Sequence, residues 1–234
     1  MFLFLILVLP AALAYYLSKE DDRAEISVVL TGFLSSALFC TLKAFFGFMH
    51  RIPSAGFWLN FLYIVFSQTA VPVIVVFLLF VYLSKDAIEF RISSYFPLLC
   101  SFYAVYLPYH IIAGSGSAYS FFELFHKPLM YLAMLLASSI CVRFIFRAFS
   151  GIDVKKKIVW SLMLAASLLL PAAAETLWYT GLPVYIWLPS WMVYMASALC
   201  AYQNSFEDNG MLESPYVFID FKKAYRDVRA LVKN

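Results

Sequence analysis

RFIFR at residues 143–147 and GIDVKKK at residues 151–157 set Arg143, Arg147, Lys155, Lys156 and Lys157 between two long apolar runs. Cations beside membrane spans are held back on the cytoplasmic side. The connection therefore reads as an inner loop, and every other loop takes its side by counting outward from it.

The runs on either side are membrane spans because the composition admits little else. The chain is 64% hydrophobic and only 13% charged, with a mean hydropathy of +0.83, whereas soluble domains are roughly a quarter charged. Several apolar stretches approach or exceed the ~20 residues that cross a bilayer as helix. They do not alternate apolar with polar residues as barrel strands do. Helices then remain as the way to satisfy every backbone group in lipid. The expected class is an all-α, multi-pass integral membrane protein, and a bacterial inner (cell) membrane is the expected location. Cys40, Cys100, Cys141 and Cys200 fall in four separate runs, so they read as small polarizable packing residues, without disulfide or metal spacing.

Seven spans are expected, at residues 2–17, 26–49, 57–83, 92–113, 128–146, 158–178 and 182–202, together forming one membrane domain over residues 1–203. Span five starts after Pro128, a residue suited to the first turn of a helix. With the organising loop inside, the inner side also receives Lys19, Arg23, Lys85, Arg91, Lys222, Lys223, Arg226, Arg229 and Lys233. Of the 17 Lys and Arg residues, only Arg51 and Lys127 are left for outer loops, and Lys43 lies within span two. That asymmetry puts the N-terminus outside and the C-terminus inside. Ala12-Leu13-Ala14 resembles a signal cleavage site. Cleavage there would leave six spans, which cannot begin outside and end inside, so residues 2–17 are read as a span.

Residues 204–234 read as a cytoplasmic tail. Phe218, Phe221, Tyr225, Val228 and Val232 recur at helical spacing, while Lys222, Lys223, Arg226 and Arg229 occupy other faces. This basic amphipathic helix suits the anionic inner leaflet, the inner loops of the protein itself or a partner. The expected partners are the lipid bilayer and other membrane-protein subunits, not nucleic acid.

Helices in lipid pack through small residues that let backbones approach. Gly32, Ser36, Cys40 and Ala44 form such a stripe on span two, and Ala133, Ala137 and Cys141 one on span five. Ser161 and Ala165, then Pro171 to Ala174, form one on span six. Pro10, Pro72, Pro171 and Pro189 fall inside spans and are expected to bend them. Phe57, Trp58, Trp160, Trp178 and Tyr179 suit interfacial belts.

Charge within a span is rare and marks where a site is sought. Lys43 and Glu175 are the two cases, both toward the outer ends of their spans. Three readings stand for them: Glu175 pairs with Lys43, Glu175 binds a cationic substrate, or both reach the outer headgroup zone by extending along the surface. His50, Arg51, His110, Glu123 and His126 fall near the same outer level, with Glu123 and His126 three residues apart on one side of a helix. One Glu-x-x-His copy is too little for a metal bundle, which uses them in pairs with further carboxylates; no metal or other cofactor is expected. Tyr103, Tyr106 and His110 make a partly polar stripe on span four, and Gln68 stands near mid-bilayer, where an amide needs a partner. No HExxH, phosphate-binding glycine loop or nucleophile elbow is present, and no catalytic residue is assigned. Residues 182–202 hold no lysine for a retinal Schiff base.

Three functional readings compete: an accessory or structural subunit of a membrane assembly, placed first; a transporter or facilitator of a small, mostly uncharged solute; and an intramembrane enzyme with an outer-face His/Glu site. Where Gln68, Tyr106, His110 and Glu175 point separates the first two.

Overall fold

The structure is a computed structural model that describes residues 26–45, 56–84, 94–115, 122–150 and 154–179. The expected spans at residues 2–17 and 182–202 lie outside these residues. So do the tail with Lys222, Lys223, Arg226 and Arg229, and Pro10, Pro189, Arg51, His50 and Cys200.

Five helices, with no strand among the described residues, make up the architecture. We label them α1 (Ile26–Phe45), α2 (Phe57–Leu83), α3 (Tyr95–Ser115), α4 (Lys127–Ser150) and α5 (Val154–Tyr179). A π-helical turn at Phe122–His126 runs directly into α4. All five are long and apolar enough to cross a membrane. They coincide with expected spans two to six, with two changes at the ends. The fifth apolar segment begins at Phe122 rather than after Pro128, so Lys127 lies inside it and not in an outer loop. The organising stretch is mostly helix: α4 continues to Ser150 and α5 begins at Val154, leaving only residues 151–153 between them outside the described chain. Nothing in RFIFRAFS breaks a helix, and Arg, Ala and Phe continue the hydrogen-bonded turn as it leaves the apolar zone.

α3 is the central helix. From Tyr95 to Ala104 every side chain is buried, and Tyr95, Leu98, Leu99, Cys100 and Phe102 are all wholly inaccessible. A helix that is apolar all round belongs in an interior. α1 packs along it, α2 and α4 flank it, and α5 lies against α4 and α2. Gly32 makes the α1–α3 contact possible: a Cβ there would meet the Leu98 carbonyl oxygen at 2.8 Å and Ser101 Oγ at 1.8 Å. Gly32, Ser36 and Cys40 face inward as expected, but Ala44 is exposed and Lys43 takes the inward position. On α5 the first small-residue pair, Ser161 and Ala165, also faces outward, whereas Pro171, Ala172, Ala174, Glu175 and Thr176 are buried. Small residues facing lipid cost nothing relative to Leu, so their spacing alone cannot select a face. Pro108 sits inside α3, a further proline within a span.

The outer surface is the apolar one. Ile26, Leu30, Leu34, Leu38 and Leu42 recur every four residues on the exposed face of α1, and Ile158, Val159, Leu162 and Met163 are exposed on α5. Charged and polar side chains such as Lys43, Gln68, Lys127 and Glu175 are inside. This is the reverse of a water-soluble fold, and it is the build of a bundle embedded in lipid.

Candidate functional site: a buried polar band across five helices

α2 is interrupted at mid-span. Residues Val65–Ala70 adopt a π-helix between the α-helical turns Phe57–Ile64 and Val71–Leu83. Such bulges occur mostly as single turns and often at functional sites. Here the interruption presents three consecutive carbonyls to α3. Tyr103 donates to the Gln68 carbonyl at 3.0 Å and lies 3.4 Å from that of Thr69. Tyr106 donates to the Ser67 carbonyl. The three-residue step from Tyr103 to Tyr106 along α3 is thus matched to a bulged run of acceptors on α2. Pro72 follows immediately, in the first turn of the second α-helical stretch.

Lys43 of α1 reaches the same carbonyl. Its ammonium donates to Ser67 O at 3.1 Å and to the Tyr106 hydroxyl at 2.8 Å, and stands 2.5 Å from His110 Nε2. An ammonium has three donors and no acceptor, so these contacts use all of them. Tyr106 spends its own proton on the Ser67 carbonyl. With Lys43 as an ammonium, His110 Nε2 accepts from it, which puts the imidazole proton on Nδ1; the same nitrogen stands 2.9 Å from the Tyr106 hydroxyl. The Tyr106 ring adds a face 5.2 Å below the ammonium.

A second cluster lies across α4 and α5. Glu175, wholly buried, pairs with Lys127 at 2.7 Å, and its other oxygen lies 3.2 Å from the Tyr131 hydroxyl. That hydroxyl is also 3.0 Å from the Gln68 side-chain oxygen. Tyr131 carries one proton and the carboxylate accepts only, so the proton goes to Glu175. Gln68 then satisfies the contact by turning its amide NH2 toward Tyr131, an exchange of O and N that coordinates alone do not distinguish. Gln68 joins the two clusters, with its side chain in one and its backbone carbonyl in the other. The result is one polar band through all five helices, bounded by tyrosine rings such as Tyr103 and Tyr131 with centroids 5.9 Å apart.

Six of the eight residues singled out from the sequence therefore meet in one place: Lys43, Gln68, Tyr103, Tyr106, His110 and Glu175. Glu123 and His126 do not join them. Both are partly exposed in the π-helical turn ahead of α4. The His126 ring stacks near Phe122, which lies flat on Trp178 at 4.6 Å. Among the described residues no three His, Cys, Asp or Glu side chains gather as a metal site would require. Glu175 takes Lys127 as its ion partner, not Lys43. Lys127 and Tyr131 were not singled out. Their signal was present: Lys127-Pro128 stands inside an apolar segment once the segment is started at Phe122, and Tyr131 follows Lys127 by one helical turn. No known protein family, curated protein or solved structure matches this chain.

Proposed function

We propose that the chain is a seven-span membrane protein of a bacterial inner membrane, with the N-terminus outside, the C-terminus inside and a basic amphipathic tail. In this reading the polar band is the binding level of a carrier or facilitator for a small solute. One observation carries it: buried ionisable and polar groups from five helices converge where a span is interrupted. Polar residues inside a bilayer are costly and mark solute or proton paths. Carriers commonly place irregular backbone, with carbonyls turned from the helix ladder, at the bound solute. The band joins the C-terminal parts of α1, α3 and α5 to the N-terminal part of α4, so it lies toward one membrane face. In the proposed orientation that face is the outer one.

The accessory-subunit reading keeps one observation in its favour. The three Lys43 donors and both Glu175 oxygens are already engaged inside the protein, as interhelical locks would be. The enzyme reading has less support, since His110 belongs to the band and Glu123 and His126 stand at its rim.

Reconstitution of the full chain in proteoliposomes separates the first two readings. A carrier gives saturable uptake of at least one small solute, abolished by Glu175→Leu. An accessory subunit gives no saturable flux and co-purifies from native membranes with a fixed stoichiometry of partner. Orientation is read by single cysteines in whole cells. A cysteine at Thr180 is expected to react with an impermeant reagent and one at Lys155 to be protected; the reverse pattern inverts the map.

A further inference from the structure

Among the described residues the formal charges of the band do not cancel. Lys43 and Lys127 contribute one positive charge each and Glu175 one negative, with His110 neutral by the donor count above. Among the described residues no carboxylate lies within ion-pair reach of Lys43; its partners are a carbonyl, a hydroxyl and an imidazole nitrogen. Glu123, a carboxylate of the π-helical turn ahead of α4, lies partly exposed. A cation removed from water is ordinarily paired, because neutral dipoles recover only part of its lost hydration. Among the described residues Lys127 has such a pair and Lys43 does not.

We infer that the band, taken as the solute site of the proposed carrier, is built for a small monovalent anion seated against Lys43. The entering anion takes one ammonium proton from a neutral acceptor and adds the attraction between two full charges to a bond whose donor is already ionised. The Tyr106 hydroxyl, on turning from the Ser67 carbonyl, supplies a second donor. Bound charge then balances the band, which fits a single negative charge better than a double one. The π-helical carbonyls disfavour a close approach of the anion to α2, so the ligand belongs on the α1–α3 side.

The test uses purified full-length protein and small probes: sodium acetate, nitrate and chloride, with acetamide as the uncharged counterpart of acetate, at constant sodium gluconate background. Saturable acetate binding is expected, at least about tenfold tighter than acetamide. Lys43→Gln removes the preference and Lys43→Arg retains it. If Lys43→Gln fails to fold, the acetate-to-acetamide ratio of the unaltered protein decides by itself. Equal binding of acetate and acetamide, or no saturable binding of any probe anion, overturns the inference. Flux keeps this failure distinct from that of the carrier reading. Saturable acetamide uptake without anion preference removes the anion and leaves the carrier. Anion binding without saturable flux leaves the site and removes the carrier.

Discussion

Gly32→Ala tests the contact on which the polar band rests. The added Cβ would stand 1.8 Å from Ser101 Oγ, 2.9 Å from Ser101 Cβ and 2.8 Å from the Leu98 carbonyl oxygen, where ordinary contact begins at 3.4 Å. Ser101 can rotate its hydroxyl away, giving up its 2.9 Å bond to the Leu98 carbonyl. Leu98 O and Ser101 Cβ cannot rotate, since they are fixed to the α3 backbone. The two helices must part by roughly half an ångström, and overpacking of this order costs about 1–3 kcal/mol. Alanine returns up to ~1 kcal/mol through its helix propensity, so the expected net loss is about 1–2 kcal/mol.

The assay is reversible unfolding in mixed detergent–SDS micelles. Adding Ser101→Ala to Gly32→Ala is expected to recover the part of the loss due to the hydroxyl and to leave the backbone part, giving a non-zero coupling between the two sites. Lys43 lies eleven residues beyond Gly32 on the same helix, ~16 Å along its axis at the usual rise. Parting α1 from α3 therefore also loosens Lys43 from Tyr106 and His110, and anion binding is expected to weaken with stability. A Gly32→Ala protein as stable as the parent, or more stable, would refute the close approach of α1 and α3.

Other expectations concern the band itself. Glu175→Gln leaves a buried Lys127 without its counter-charge and should cost about 3–5 kcal/mol in the same assay, whereas the Lys127→Met, Glu175→Leu double variant loses much less than the sum of its singles. A strictly additive result would show that the pair is not formed. Tyr131→Phe removes the hydroxyl that donates to Glu175 and accepts from Gln68, and should cost about 1–2 kcal/mol; a change indistinguishable from zero would detach Gln68 from the α4–α5 cluster. Deleting Phe66 takes one residue out of the π-helical turn and restores an α-helical ladder. Loss of the Tyr103 and Tyr106 bonds to α2 should follow, and with it the preference for acetate over acetamide; retention of that preference would mean that the turn does not shape the site.

The sequence by itself determined that this chain is helical and where its described spans run. In lipid the backbone has no other partner than itself, so length and apolarity suffice: residues 57–83 coincide with α2, and the expected spans at residues 26–49 and 158–178 overlap α1 and α5. It also marked Lys43, Gln68 and Glu175 as out of place in hydrocarbon. Which groups they meet was decided only in three dimensions. Glu175 pairs with Lys127 because the fifth apolar segment begins at Phe122, one π-turn before the proline that reads as its start. Gln68 reaches both clusters because α2 bulges at Val65–Ala70, and no residue in VFSQTA signals that bulge. The inward face of α1 was legible in Gly32, Ser36 and Cys40, but that of α5 was not legible in Ser161 and Ala165. An alanine toward lipid and one toward a neighbouring helix differ only in packing, and packing exists only once the neighbour is in place.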